Sequence, residues 1–276
     1  MVFPNKFEQL EADHIAIIGM PFDDYSSHLK GAANAPPLIR EMITSDASNT
    51  WSELGLDVGN HPYVHDLGDL SWHNNEEAFE VLEATINKVV TAGAKPLTFG
   101  GDHSITYPIL KGLSKHYPKL TILHFDAHPD LYDTLDGNRL SHACPFARIM
   151  ENKLATRLVQ IGIRTLNQHQ KDQASKFDVE IHEMKDWNGP EQLSLSGPIY
   201  ISLDIDALDP AYAPGVSHHE PGGLSTRQVI DVIHSIDAPI VGADIVEYNP
   251  IRDINSVTAT VAAKLYKEIC SRILTN

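Results

Sequence analysis

LTILHFDAHPD, residues 120–130, decides the fold. Its first half is apolar nearly throughout, as a strand buried on both faces should be. Its second half changes abruptly to DAHPD (126–130), which places charged and imidazole groups directly after the strand. Similar apolar runs occur at 14–20, 95–100, 157–163, 198–206 and 239–247. Helical patterns alternate with them: 75–92, rich in Glu, Ala and Leu and stopped by Gly93; 225–236, opened by a Ser-Thr cap; and an amphipathic 255–273. Strands alternating with helices predict an α/β fold with a mostly parallel sheet covered by helices. Segment 21–62, with Pro, Gly, Asn and Ser clustered, reads as long loops around a short helix. No repeat or linker divides the chain, so residues 1–276 are expected to form a single domain.

Composition narrows the partners. The 276 residues are 42% hydrophobic and 21% charged, enough apolar content for a buried core. A net charge of −16 disfavours nucleic acid, because phosphate backbones are repelled by an acidic body. No run approaches the ~18 apolar residues of a membrane span. The start, MVFPNKFEQLEADH, has no apolar signal-peptide core, and two cysteines are too few for a disulfide scaffold. The expectation from these features is a cytoplasmic chain that binds neither membrane nor nucleic acid.

Three more strand ends finish in polar clusters: GGDHS (100–104), SLDIDALDP (202–210) and DIVEYNP (244–250). Side chains two apart on an extended backbone point the same way, so Asp126, His128 and Asp130 can converge, as can Asp204 and Asp206. Gly100 and Gly101 are expected to turn the chain sharply and place His103 at a helix start. Ligand sites in open α/β sheets lie beyond the carboxyl ends of the strands, where all these groups fall. Asp126, Asp130, Asp204 and Asp206 resist ionising together unless cations intervene. Two divalent ions would neutralise them, with His103 and His128 completing the shells. Oxygen ligands with some imidazole and no thiolate suit manganese better than zinc, with iron, cobalt or nickel as substitutes. Paired ions of this kind ionise a water near neutral pH, which makes a hydrolase the expected chemistry. His124, inside the apolar strand, reads as a satisfied core histidine. His218 and His219 remain open between solvated loop residues and site residues.

GGDHS, DAHPD and SLDIDALDP, in that order, resemble the three metal-binding signatures of the arginase/agmatinase (ureohydrolase) family. The likeness runs from about residue 31 to 269. DGNRLSHACPFARIM (136–150), APGVSHHEPGGLS (213–225) and VGADIVEYNPIRD (241–253) are most similar to its plant-type arginase branch. The resemblance implies a three-layer α/β/α sandwich around a parallel eight-stranded sheet and a binuclear manganese centre with two Mn2+ per chain. It also implies hydrolysis of L-arginine to urea and L-ornithine, with agmatine or another guanidino compound as the alternative substrate. By that pattern His103, Asp126, Asp130 and Asp204 hold one ion, and His128, Asp126, Asp204 and Asp206 the other. His142 takes the place of a proton-shuttling histidine, and Glu247 that of the carboxylate orienting the guanidinium. Tyr132, Asn138 and Asn167 are the candidates for the far end of a small cationic guanidino substrate. A homo-oligomer, trimer or hexamer, is also implied. The complete six-ligand set argues against a related one-zinc deacetylase with a catalytic tyrosine. The scarcity of basic residues in the clusters argues against a binuclear phosphoesterase. With no ligand and no His142 lost, a non-catalytic scaffold is the weaker reading.

Overall fold

A computed structural model describes residues 7–276. Eight strands form one sheet: β1 (Ile15–Gly19), β2 (Val64–Asp69), β3 (Lys95–Phe99), β4 (Thr121–Phe125), β5 (Arg157–Ile163), β6 (Glu180–Glu183), β7 (Ile199–Asp204) and β8 (Ile240–Val246). Their order is β2-β1-β3-β8-β7-β4-β5-β6, and every pairing is parallel. Period-2 alternation divides each inner strand between two cores. Ile15 and Ile17 of β1 face the helices Ala35–Thr44, Thr226–His234 and Val257–Thr275. Ala16 and Ile18 face Asn75–Thr91, Thr106–Leu113 and Pro145–Glu151. The architecture is the expected three-layer α/β/α sandwich.

Local chemistry sets the element ends. Asn74 caps Asn75–Thr91 by accepting the Glu77 N–H at 3.0 Å, and Gly93 ends it at a φ of 82°. A reciprocal capping box between Ser225 and Gln228 starts Thr226–His234. Two strands carry too little pattern to be read from sequence. VHDLGD of β2 and EIHE of β6 lie at the sheet edges, each with one neighbour and with most residues partly exposed. Among the described residues, no helix is long and apolar enough to cross a membrane.

The sheet order brings the chemistry together. β3, β8, β7 and β4 are consecutive neighbours, and they are the four strands that finish in the polar clusters. Phe125 pairs with Leu203, Asp204 with Val246, and Phe99 with Ile245. GGDHS, DAHPD, SLDID and DIVE therefore leave the sheet side by side.

Candidate metal centre and substrate cavity

Gly101 has a different task from the expected sharp turn. A Cβ there would stand 1.8 Å from the Phe22 carbonyl oxygen, and the residue's φ is not positive. The chain at 100–102 lies against the 20–25 loop, with Asp102 N–H donating to Phe22 O at 2.8 Å. Glycine is required by close approach. Glu247 and Asp130, by contrast, are non-glycine residues held at φ of 62° and 47°, a conformation that costs energy and that structures retain chiefly at working sites. The Glu247 N–H donates to Gly101 O at 2.8 Å, which ties the two loops together.

Three carboxylate oxygens surround one imidazole nitrogen. His103 Nδ1 lies 3.2 Å from Asp126 Oδ2, 3.2 Å from Asp130 Oδ2 and 3.1 Å from Asp204 Oδ2, yet none of these is in hydrogen-bonding geometry. The opposite nitrogen explains why. Nε2 lies 3.0 Å from Ser202 Oγ, whose own hydroxyl donates to Asp244 Oδ1 at 2.8 Å. Ser202 must accept, so Nε2 carries the proton and Nδ1 turns a lone pair toward the carboxylates. A lone pair facing three buried oxygens is repulsive without a cation among them. Burial pushes the His103 pKa down, but the Asp126, Asp130 and Asp204 carboxylates outweigh it and pull it well above the usual value, so without a cation among them they would draw a second proton onto the ring. The site calls for positive charge at that point.

A second set adjoins the first. His128 Nδ1 lies 3.3 Å from Asp126 Oδ1 and 3.0 Å from Asp206 Oδ2. Burial opposes a charged His128, yet Asp206 and Asp126 push its pKa up to about 12. Asp126 thus turns one oxygen to each imidazole. The other carboxylates are oriented by backbone donors: Asp204 Oδ1 accepts the Asp206 N–H at 2.8 Å, and Asp206 Oδ1 accepts the Ala127 N–H at 3.0 Å. Burial and the Asp206 and Asp126 charges drive the Asp204 pKa well above its normal range, and burial with the Asp126 charge raises Asp130 to about 6. The donor set fits two divalent cations, since bare carboxylates here suppress one another's ionisation.

His124 also stands within reach of His103 and Asp126, and these three could be taken for a ligand group. Its hydrogen bonds decide otherwise. Gln160 Nε2 donates to Pro129 O at 2.7 Å and has its second hydrogen for His124 Nδ1 at 2.9 Å. The remaining His124 nitrogen, Nε2, then donates to Asp126 Oδ2 at 2.9 Å. Burial lowers the His124 pKa to about 4, so the ring is neutral. It orients the bridging carboxylate and has no lone pair left for an ion.

A cavity of ≈ 220 Å³ opens above these groups, lined among others by His128, Tyr132, His142, Gln170, His218 and Glu247. His142 Nδ1 lies 2.9 Å from Glu247 Oε1, which also accepts the His103 N–H at 2.9 Å. Burial lowers the His142 pKa, but the Glu247 charge and hydrogen bond outweigh it and raise the value to about 9. Glu247 Oε2 has no hydrogen-bond partner among the described residues. His218 stands at the wall, its ring 5.3 Å from that of His142, whereas His219 is exposed and bonded to Pro214 O at 2.7 Å. The histidine pair therefore divides between site and loop.

The three far-end candidates also separate. Tyr132 lines the cavity. Asn167 lies behind it, capping Gln168–Phe177 and donating from Nδ2 to the Tyr132 hydroxyl at 2.5 Å. Asn138 is not on the cavity wall: its Oδ1 accepts the Leu140 N–H at 2.8 Å within a tight turn through Asp136 and Gly137. Several residues here escaped the sequence reading. Ser27 touches His142, and Ser202 and Asp244 form the chain behind His103. Arg164 donates to the carbonyls of Asp206 (2.8 Å), Glu220 and Gly162, joining a ligand strand to the loop of His218. Only the pairing of Ser202 with Asp244 across β7 and β8 reveals the second of these groups, and no sequence spacing encodes it.

Loading the site should stabilise the fold. Each ion at ~100-fold excess over its Kd adds ~2.7 kcal/mol, and ~2–4 °C of Tm accompanies each kcal/mol in a chain of this size. Scanning calorimetry with manganese should therefore show a Tm at least about 10 °C above that in chelator. An unchanged Tm would mean that the cluster holds no ion.

Comparison with known proteins agrees with this geometry. The Arginase family model matches residues 13–271. Arginase 1, mitochondrial, of Arabidopsis thaliana is 42% identical over 94% of this chain and 80% of its own length. Arginase 2, chloroplastic/mitochondrial, of the same plant is 41% identical over 94% and 80%. The solved structure of arginase from Medicago truncatula superposes with a TM-score of 0.89 at 39% identity, covering 94% of this chain and 87% of that one. These relatives overturn the cytoplasmic expectation, because they are proteins of mitochondria and chloroplasts. An unremarkable N-terminal composition and a low cysteine count suit an organelle matrix as well as a cytoplasm, so neither feature could decide the compartment.

Proposed function

The chain belongs to the arginase family, and on that premise we propose that it hydrolyses L-arginine to urea and L-ornithine with two manganese ions. It is a hydrolase of C–N bonds in linear amidines. The observation that carries the reading is the pair of ligand sets joined by Asp126 beneath a cavity walled by Glu247 and His142. We read the whole chain as one domain serving this site, with His103 and Asp130 on one side, His128 and Asp206 on the other, and Asp126 and Asp204 shared between them. When bound, the ions neutralise the carboxylates and lower the pKa of a water, supplying a nucleophile near neutral pH.

The protein's own groups do the rest. Glu247 Oε2 is free to accept from the guanidinium, a charge-assisted bond that holds a poor electrophile in place. Its Oε1 is fixed by His103 and His142, so the carboxylate cannot swing away. His142, charged below pH about 9, can protonate the leaving amine. Tyr132, steadied by Asn167, forms the wall along the substrate's aliphatic chain. Beside it Gln170 keeps its Oε1 on the Asn167 N–H and has an amide nitrogen without a partner among the described residues. Asn138 supports the turn leading to His142.

The sign of the pH dependence follows from His142. Its acidic form is the competent one, so from the neutral range, where the nucleophile is ionised, kcat should be level up to pH about 9 and fall about tenfold per unit above it. His142→Ala should keep both ions, lower kcat on the order of 10²-fold and lose that alkaline limb. Retention of the limb in the variant would assign it to another group. The substrate itself is tested by urea release from arginine, agmatine, guanidinobutyrate and formiminoglutamate with added manganese. Arginine should give the highest kcat/KM, and a higher value for agmatine would replace the reading with agmatinase.

A further inference from the structure

We propose that Ser27 relays the proton between His142 and the leaving amine, an inference that rests on His142 being the acid of the reaction above. The two nitrogens of the His142 ring are not equivalent. Nδ1 is committed to Glu247 Oε1 at 2.9 Å, and that carboxylate is itself anchored by the His103 N–H. A transferable proton must therefore leave through Nε2. Nε2 faces Ser27, whose hydroxyl lies 2.8 Å away and whose backbone N–H lies 3.2 Å away. Ser27 and His142 both line the cavity, so the hydroxyl in contact with Nε2 belongs to a residue that borders the space where substrate binds.

A hydroxyl suits this place because it donates and accepts at once. With His142 charged, Ser27 Oγ accepts from Nε2–H and points its own hydrogen into the cavity. As the C–N bond breaks, its electron pair goes to the amine nitrogen, which takes the Ser27 proton while Ser27 takes the Nε2 proton. Imidazolium becomes imidazole, serine is unchanged, and the amine leaves neutral. The bare Nε2 lone pair then receives the Ser27 backbone N–H, which stabilises the ring after transfer.

The loop carrying Ser27 is anchored firmly enough to hold such a geometry. Buried Asp102 accepts the Tyr25 N–H at 3.0 Å and the Ser26 hydroxyl at 3.4 Å through Oδ2, while Oδ1 accepts the Ser104 N–H at 3.0 Å. The His142 N–H donates to Tyr25 O at 3.2 Å, and Ser217 Oγ donates to Leu29 O at 2.9 Å. Both sides of the relay are thus pinned to each other and to the turn that carries His103.

The test compares Ser27→Ala and Ser27→Thr with the unaltered chain, all loaded with manganese and assayed on L-arginine in H2O and D2O. Ser27→Ala should lower kcat on the order of 10²-fold, as loss of a positioned proton-transfer group does, with KM within about 3-fold. Its solvent isotope effect on kcat should rise, because proton transfer becomes slower than the other steps. Ser27→Thr, which keeps a hydroxyl, should recover kcat to within about 5-fold. An unchanged kcat in Ser27→Ala would overturn the relay. So would equal losses in both variants without a larger isotope effect, which would mark Ser27 as a packing residue. If the unaltered chain releases no urea from any guanidino substrate, the activity reading fails and the relay with it. An active unaltered chain with an unaffected Ser27→Ala refutes the relay alone.

Discussion

Asp126→Ala should strip both ions from the protein and lower kcat on the order of 10³-fold or more, equivalent to about 4 kcal/mol of transition-state stabilisation. The expectation follows from where its two oxygens point. Oδ2 faces His103 Nδ1 at 3.2 Å and Oδ1 faces His128 Nδ1 at 3.3 Å, so one side chain belongs to both ligand sets. His124 holds it there through Oδ2 at 2.9 Å. Alanine would leave two half-sites without their common wall. Asp206→Ala is the control, because Asp206 faces only His128 among the imidazoles, at 3.0 Å. That variant should keep close to one ion per chain and lose most activity. Elemental analysis of both variants settles the matter, and two ions retained in Asp126→Ala would refute the bridging assignment.

Glu247→Gln should cost about 10²–10³-fold in kcat/KM, the magnitude found when one preorganised electrostatic contact is removed from an active site. The fall should be alike for arginine and agmatine, since the guanidinium is common to both. Glutamine keeps the shape and loses the charge. It also gives His142 a weaker partner: Glu247 is the main group raising the His142 pKa against burial, so the alkaline limb of kcat should move to lower pH. Measurement of kcat/KM on both substrates, with the pH profile on arginine, checks both consequences. A loss confined to arginine would place Glu247 at the amino-acid end instead.

What could be read from the sequence was what lies along a single strand. DAHPD and SLDID declare their convergence through a two-residue spacing, and β4 and β7 declare themselves through runs that are apolar nearly throughout. The edge strands did not, because half-exposed VHDLGD and EIHE offer no face that must be hidden. Ser27 was illegible for a related reason: it lies in an irregular loop whose position is set by Asp102, 75 or more residues away in sequence, through bonds to Tyr25 and Ser26. Asn138 was a candidate through the resemblance alone, and its amide oxygen closes a local turn, a contact that no resemblance encodes. Histidines at 124 and 218 differ only in surroundings, one enclosed by Gln160 and Asp126, the other at the cavity wall.

Manganese titrated into chelator-treated protein, with urea release from L-arginine followed at each addition, tests the central claim most directly. Activity should be absent without metal and should rise to its maximum at two ions per chain. Full activity in protein shown by elemental analysis to be metal-free, or a maximum reached at one ion, would contradict a centre built from two ligand sets joined by Asp126.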